Sequence, residues 1–224
     1  MGSWSTRVSI NVAARRRNIS RLCHFTSIEH LPGILSDRYI WSVARAKQHG
    51  SPIARNDMRR FDGCLDHVSV SVQYPNLLLL DSYRRRGEAG WVIVFLDPRL
   101  LSRSNTLFCP VNAATKKGSL VSADLSGFRS MFKPMIGQCG VHRPCERSLS
   151  HLHSCPTCLQ AEVLIEGSIP TNHFESIATI DQLDSHRVQQ IIGESNHPPI
   201  RVKVVPQLFN REQVIRCISQ GKEV

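Results

Sequence analysis

The sequence has few acidic residues and few aromatic ones, and it lacks any long apolar run. Eighteen Asp and Glu residues stand against 28 Lys and Arg, which leaves a net charge of +10, and aromatic residues make up only 6%. No stretch approaches the roughly 18 consecutive apolar residues that a membrane-spanning helix needs. Residues 1–19 also lack the apolar core of a secretory signal. We therefore expect a cytoplasmic protein with no membrane partner.

The excess positive charge is clustered rather than spread evenly. Clustered basic side chains are typical of a surface that follows phosphates, so we expect nucleic acid as a partner. Runs of this kind also occur on ordinary solvated surfaces, which leaves a merely basic protein as the alternative. We predict a loose basic arm over residues 1–20 and a single domain over residues 21–224. The basic runs are Arg15–Arg17, Arg59–Arg60, Arg84–Arg86 and Lys116–Lys117.

The hydrophobic pattern predicts an α+β domain with about six strands and three or four helices. Strict alternation over His67–Val72 predicts a half-buried strand, and the continuous apolar run Trp91–Leu96 predicts a central one. Helices are predicted over Asp181–Gly193 and from Asn210 to Gly221, where an Asn can cap the helix start. A further short strand is predicted over Gln160–Ile165.

A carboxylate, Glu162, stands in the middle of the apolar strand predicted over Gln160–Ile165. Because side chains alternate along a strand, Gln160 and Glu162 should share one face. An ionised Glu is rarely buried unless it is paired or has a chemical role. Two interpretations follow: a Glu on the exposed face of a half-buried strand, or a catalytic carboxylate with Gln160 beside it.

Four of the eight cysteines fall in one stretch at about residues 138–158, which also carries three histidines. They are Cys139, Cys145, Cys155 and Cys158, and the histidines are His142, His151 and His153. Thiolates and imidazoles are the ligands of structural zinc, so this insert predicts a zinc site, with a reduced cysteine-containing loop as the alternative. Eight cysteines without a secretory signal favour a reducing compartment.

Five short stretches occur in an order found in a known family. They are Leu22–Thr26 running into Leu31–Leu35, Asn56–Arg60, Ser69–Asn76, Phe108–Ala114 and Gln160–Val163. Together they resemble the DarT family, the toxins of DarT–DarG systems, over roughly residues 21–205. The resemblance implies the split-sheet ADP-ribosyltransferase fold. It also implies an NAD-dependent transfer of ADP-ribose to a base of single-stranded DNA, and a macrodomain antitoxin as partner. The cysteine-rich insert departs from the family pattern.

The resemblance also implies roles for individual residues. Glu162 matches the catalytic Glu and Arg60 the Arg that engages NAD and supports transfer, with Arg59 as the alternative in a shifted register. The residues expected to bind NAD are His24, Thr26, Asn56, Arg60 and Ser71. Those expected to meet the acceptor base are Gln160, Tyr74 and Asn112, with Trp41 as an alternative stacking ring to Tyr74.

The chemistry of the reaction agrees with these residue types. Breaking the nicotinamide–ribose bond builds positive charge on the ribose, which a carboxylate stabilises selectively in the transition state. Arg offers a planar pair of donors to the pyrophosphate. The Asn56–Arg60 pattern and the Gln-x-Glu pair favour guanine over thymine as the acceptor base. Two alternatives remain: a basic nucleic-acid-binding module without catalysis, and an ADP-ribosyltransferase acting on RNA or protein.

Overall fold

The computed structural model describes residues 4–50, 62–87, 90–139 and 143–224. The helices are α1 (Trp4–Arg16), α2 (Leu31–Asp37), α3 (Val43–His49), α4 (Leu77–Arg84), α5 (Leu125–Ser130), α6 (Gln182–Glu194) and α7 (Arg211–Ser219). The strands are β1 (Leu22–Ser27), β2 (Tyr39–Trp41), β3 (His67–Val72), β4 (Trp91–Leu96), β5 (Leu107–Cys109), β6 (Met135–Cys139), β7 (Arg143–Glu146), β8 (Glu162–Glu166), β9 (Ser168–Pro170), β10 (Phe174–Thr179) and β11 (Val202–Val204).

A seven-stranded mixed sheet forms the centre of the molecule, and the predicted α+β class is confirmed. Its strand order is β11-β10-β4-β1-β3-β8-β5. All neighbours in this sheet are antiparallel except β10 and β11, which are parallel. Two smaller antiparallel pairs, β2–β9 and β6–β7, lie beside it. Among the described residues, no helix is both long and apolar enough to cross a membrane.

The sheet divides between β1 and β3. Strand β1 pairs with β4 along its whole length, but its register with β3 consists of only Leu22↔Val72 and Cys23↔Ser71. Beyond Cys23 the two strands diverge, and their side chains line a cleft. This division is the split sheet that the resemblance implied.

Separate apolar clusters cover the two faces of the sheet. On one face, Val70, Val94 and Val163 pack in a cluster to which α1, α2 and α6 contribute. On the other, Ile93 and Phe95 pack in a cluster with side chains of α4 and α7. Burial of this kind on both sides is what holds a sheet with an internal cleft in one shape.

The N-terminal segment differs from the predicted loose arm. Residues 4–16 form α1, whose Ile10 and Ala14 are buried in the main core. Just after it, the Arg17 guanidinium lies 3.9 Å from the centre of the Phe132 ring and donates a hydrogen bond to the His153 carbonyl. The apolar pair at i and i+4 is the helical signal, and the run of three arginines that follows it obscured this signal.

The helix α4 was not predicted, because four consecutive leucines carry no helical period. It begins after Asn76, whose side-chain oxygen accepts a hydrogen bond of 3.2 Å from the Leu79 backbone nitrogen. This cap fixes the start of the helix at the end of β3. As a result, Leu79 and Tyr83 of α4 are placed on the cleft.

Candidate active site

The cleft between the diverging strands encloses a cavity of about 250 Å³. Polar side chains from three strands of the large sheet line it, namely His24, Ser69 and Glu162. Trp41 of β2 also lines the cavity. A concave apolar site with a few convergent polar groups is the usual form of a ligand site.

Glu162 is buried, with 6% of its surface exposed, so the interpretation as a surface Glu is wrong. Its Oε1 accepts a hydrogen bond of 2.7 Å from Asn112 Nδ2, and its Oε2 accepts one of 3.0 Å from Ser69 Oγ. Both carboxylate oxygens therefore have a donor, and the head group is held in one orientation. A carboxylate oriented before substrate arrives is suited to stabilise positive charge.

Strand pairing explains how these three side chains meet. Strand β8 lies between β3 and β5, and Glu162 is registered with Cys109 at the end of β5. Asn112 follows three residues later, and its Oδ1 accepts a hydrogen bond of 3.0 Å from the Ala114 nitrogen, which closes a tight turn. Ser69 lies diagonally across from Glu162 on β3. The amide of Asn112 thus orients Glu162 and accepts from Ala114, and its predicted contact with the acceptor stays a prediction.

His24 projects from β1, and a hydrogen bond to β3 on the opposite wall of the cleft holds its ring. Its Nδ1 is 3.0 Å from the Ser69 carbonyl oxygen, and because a carbonyl only accepts, Nδ1 carries the proton. Burial lowers the pKa of His24, and the neighbouring His30 lowers it further, while the Ser69 contact works in the other direction. The imidazole is therefore neutral at pH 7 and offers Nε2 as an acceptor, which suits a ribose hydroxyl.

All the described residues that were expected to bind NAD lie together. Thr26 and Ser71 line the same cleft as His24 and Glu162, and Thr26 Oγ1 is 3.4 Å from His30 Nδ1. Three other residues of the prediction lie outside the described residues, and their roles stay predictions. They are Asn56, Arg59 and Arg60.

Two residues expected to meet the acceptor are placed elsewhere. Tyr74 is buried in the core cluster of α4 and α7, and its hydroxyl accepts a hydrogen bond of 2.9 Å from the Val224 nitrogen. A ring that is only 3% exposed has no face open to a base, so this placement does not support a stacking role. Gln160 lies in the turn before β8, which begins at Glu162, so strand alternation does not place it on the same face as Glu162.

The sequence reasoning missed two features of the cleft. The first is Ser69, although its alternation with Ser71 in His67–Val72 indicates two hydroxyls on one strand face. The second is the stacking of Trp41, itself predicted as the alternative ring, on two neighbours: its ring centre is 4.6 Å from that of Tyr39 and 4.3 Å from that of His49. Two aromatic residues at i and i+2 of one strand were the available signal.

Three of the four cysteines predicted to bind zinc are brought together. The sulfur atoms of Cys139, Cys145 and Cys158 all lie within 4.8 Å of one another. Cys155 is not part of this group, because it is buried in the core cluster with Cys23. Burial raises the pKa of Cys155 to about 12, which keeps it a thiol. The four-cysteine ligand set is therefore wrong in one member.

Comparison with known proteins identifies a family. A family model described as DarT, ssDNA thymidine ADP-ribosyltransferase, matches residues 23–210. Among curated proteins, none matches this chain.

Solved structures share the fold at low sequence identity. Thermus sp. 2.9 DarT in complex with NAD+ has a TM-score of 0.61 at 14% identity, over 85% of this chain and 98% of that one. The same Thermus protein with ADP-ribosylated ssDNA has a TM-score of 0.60 at 13% identity, over 86% and 97%. Thermosipho africanus DarTG in complex with ADP-ribose has a TM-score of 0.57 at 15% identity, over 85% of this chain and 51% of that one.

Proposed function

Because the chain belongs to the DarT family of ssDNA thymidine ADP-ribosyltransferases, we propose that it attaches ADP-ribose to thymine in single-stranded DNA, with Glu162 as the catalytic carboxylate. The class of reaction follows from the family: NAD is consumed, nicotinamide is released, and the product is ADP-ribosylated DNA. Thymine replaces the guanine that the Asn56–Arg60 pattern favoured, since the family description names thymidine.

The observation that carries the catalytic assignment is the buried, doubly hydrogen-bonded Glu162 in the cleft. In the reaction, the bond between nicotinamide and ribose C1′ breaks, and its electron pair leaves with nicotinamide. The carboxylate stabilises the positive charge on the ribose. A base nitrogen then bonds to C1′ and gives its proton to Glu162, from which it passes to solvent.

We assign the NAD contacts to the wall that carries His24. The free Nε2 of His24 accepts a hydrogen bond from a ribose hydroxyl, and Thr26 and Ser71 contribute hydroxyls to the same cleft. Arg60 and Asn56 complete the set, with Arg60 pairing with the pyrophosphate. The NAD+ complex of the related Thermus enzyme supports NAD as the substrate of this fold.

For the acceptor strand, we propose Trp41 as the stacking ring in place of Tyr74. Its ring lines the cleft and is held by Tyr39 and by a hydrogen bond of 2.9 Å from its Nε1 to Asp37 Oδ2. Aromatic faces bind the bases of single strands without regard to sequence. Gln160 remains a candidate acceptor contact from the turn before β8. Cytoplasmic single-stranded DNA is the proposed target.

Lys116 and Lys117 are our candidates for the phosphates of that strand. Both are exposed, and their loop is joined to Asn112 through the hydrogen bond from the Thr115 nitrogen to the Asn112 carbonyl. Both also adopt the left-handed backbone conformation, with φ of 51° and 54°. Non-glycine residues in that region are costly and tend to occur at functional sites.

The test is incubation with NAD and single-stranded oligonucleotides, followed by mass spectrometry of the DNA and measurement of nicotinamide. An oligonucleotide that contains thymine should gain one ADP-ribose. An oligonucleotide that contains guanine and no thymine should gain none. Transfer to guanine alone would overturn the base assignment. Modification of RNA or protein in place of DNA would support an ADP-ribosyltransferase with another acceptor. DNA binding without nicotinamide release would support a nucleic-acid-binding module without catalysis.

The pair of adjacent arginines supplies a matched test of the NAD contact. Arg60→Ala should raise the KM for NAD and lower kcat, while Arg59→Ala should leave both near the values of the unmodified enzyme. The reverse pattern would transfer the role to Arg59.

The partner we propose is a macrodomain antitoxin that removes the modification. The Thermosipho protein DarTG was solved with ADP-ribose, which agrees with a toxin–antitoxin setting for this family. Expression of the active chain should stop growth of a bacterial host, and co-expression of a macrodomain hydrolase should restore it.

A further inference from the structure

Three cysteine side chains lie close together beside β8, the strand that carries Glu162. Cys139 ends β6, Cys145 lies in β7, and Cys158 lies in the loop before β8. The sulfur of Cys139 lies within disulfide-bonding distance of those of both Cys145 and Cys158. One sulfur forms only one disulfide bond, so oxidation leaves one of the three without a partner. A metal ion, in contrast, can bind all three sulfur atoms at once.

We propose that Cys139, Cys145 and Cys158 bind one structural Zn²⁺ ion as thiolates. Zinc prefers soft sulfur ligands in a tetrahedral arrangement, and sites with three cysteines and one further ligand are common. On binding, the three thiols release three protons to solvent, and the fourth position of a structural site takes one more side chain. No oxidant or reductant takes part.

The surroundings of the three thiols are those of a structural site. They pack in an apolar cluster with Ile136, Val111 and Leu164. Leu164 belongs to β8 and lies two residues from Glu162. A zinc ion here would fasten the β6–β7 hairpin to the strand that carries the catalytic carboxylate.

The loop that delivers Cys158 is held by independent hydrogen bonds. Arg147 donates to the carbonyl oxygens of Leu152 and Cys155 at 2.9 and 2.6 Å. Thr157 donates to the Lys133 carbonyl through its hydroxyl at 2.6 Å, and to the Met131 carbonyl through its nitrogen at 2.9 Å. The position of Cys158 is therefore set by the fold, as a structural metal site requires.

Cys155 supplies a matched control, because it is three residues from Cys158 and buried in a different cluster. The chain purified from zinc-supplemented culture should contain about one zinc per molecule by plasma mass spectrometry. Cys158→Ser and Cys145→Ser should lose the zinc, and Cys155→Ala should retain it. Equal zinc in all four proteins, or loss in Cys155→Ala with retention in Cys158→Ser, would overturn the ligand set.

A second measurement on the unmodified chain covers the case in which the cysteine variants do not fold. Removal of zinc with a chelator should make three more cysteines available to alkylation, identified by peptide mapping as Cys139, Cys145 and Cys158. Substitution with Co²⁺ should give the absorption of tetrahedral thiolate coordination. A zinc-free chain with a disulfide between two of these cysteines would overturn the proposal. These readouts do not depend on DNA modification.

Discussion

The two walls of the cleft are built in different ways. The wall of β3, β5 and β8 is made from polar groups that satisfy one another, with Glu162 between Ser69 and Asn112. The wall of β1, β2 and α3 presents rings instead, with Trp41 between Tyr39 and His49. Glu162 is buried and its two partners are half-buried, whereas Tyr39 and Trp41 are half-buried and His49 is exposed.

This difference separates two kinds of work. A buried carboxylate with both oxygens engaged cannot reorient, so it is suited to a charge that appears only in the transition state. Half-buried aromatic rings that line a cleft are suited to apolar contact with a flat ligand in its ground state. Changes in the first wall should therefore lower kcat, and changes in the second should weaken binding.

The largest effect is expected from Glu162→Gln, which keeps the shape and removes the charge. We expect kcat for ADP-ribose transfer to fall about 1,000-fold or more, since the transition-state charge loses its counter-charge. Quenched-flow or endpoint assays of nicotinamide release would measure it. The control is Glu166→Gln, at the other end of the same strand, where activity should change little. Full activity of Glu162→Gln would refute the division between the walls.

A smaller effect is expected from Asn112→Ala, which removes one of the two donors to Glu162. Loss of a charge-assisted hydrogen bond should lower kcat about 10- to 100-fold while leaving the KM for NAD nearly constant. Asn105→Ala removes an equivalent bond of 2.7 Å, from Asn105 Nδ2 to Glu166 Oε2, outside the cleft. If both variants lose the same activity, the effect is one of fold rather than of orientation.

On the other wall, Trp41→Ala should weaken binding of single-stranded DNA about 5- to 150-fold, as expected for loss of one stacked base. We expect kcat at saturating DNA to change much less. Trp41→Phe should recover most of the affinity because it keeps a ring. Fluorescence anisotropy with a labelled oligonucleotide would measure all three proteins, and a fall in kcat without a change in affinity would remove the distinction between the walls.

The smallest effect concerns pH. Because the folded-state pKa of His24 is lowered, the unfolded chain binds protons first as the pH falls, so stability is lost from about pH 6.5 downward and levels off below the folded pKa. His24→Gln should flatten this slope in denaturant unfolding measured between about pH 8 and pH 5. His151→Gln should flatten it too, since burial also lowers the pKa of His151, but only His24→Gln should alter the KM for NAD.

The part of the site that was predicted rests on residues next to strands with a strong pattern. His24, Thr26, Ser71 and Glu162 follow from β1, β3 and β8, which alternation and apolar content mark in the sequence. The resemblance to the family supplied their roles. The split of the sheet also followed from the resemblance, and no local pattern in β1 or β3 indicates where they part.

Where the placement of a side chain differs from the sequence prediction, the main physical cause is packing between distant segments. Tyr74 is turned inward by Val224, 150 positions later, and no local signal carries that contact. Gln160 lies outside β8, because the strand begins two residues later than predicted, so strand alternation does not assign its face. The sequence positions of Cys155 and Cys158 do not indicate which of them joins the other cysteines. The structure does, because the two are buried in different apolar clusters.

The divided sheet affects how much the sequence of this enzyme can vary while the fold is kept. Where β1 leaves β3, the strand edge that faces the cleft consists of backbone N–H and C=O groups, which every residue except proline supplies in full. Substitution of side chains along these strands leaves these backbone groups in place. The backbone of this fold can therefore persist with few shared side chains, as it does here at 13–15% identity to its structural relatives.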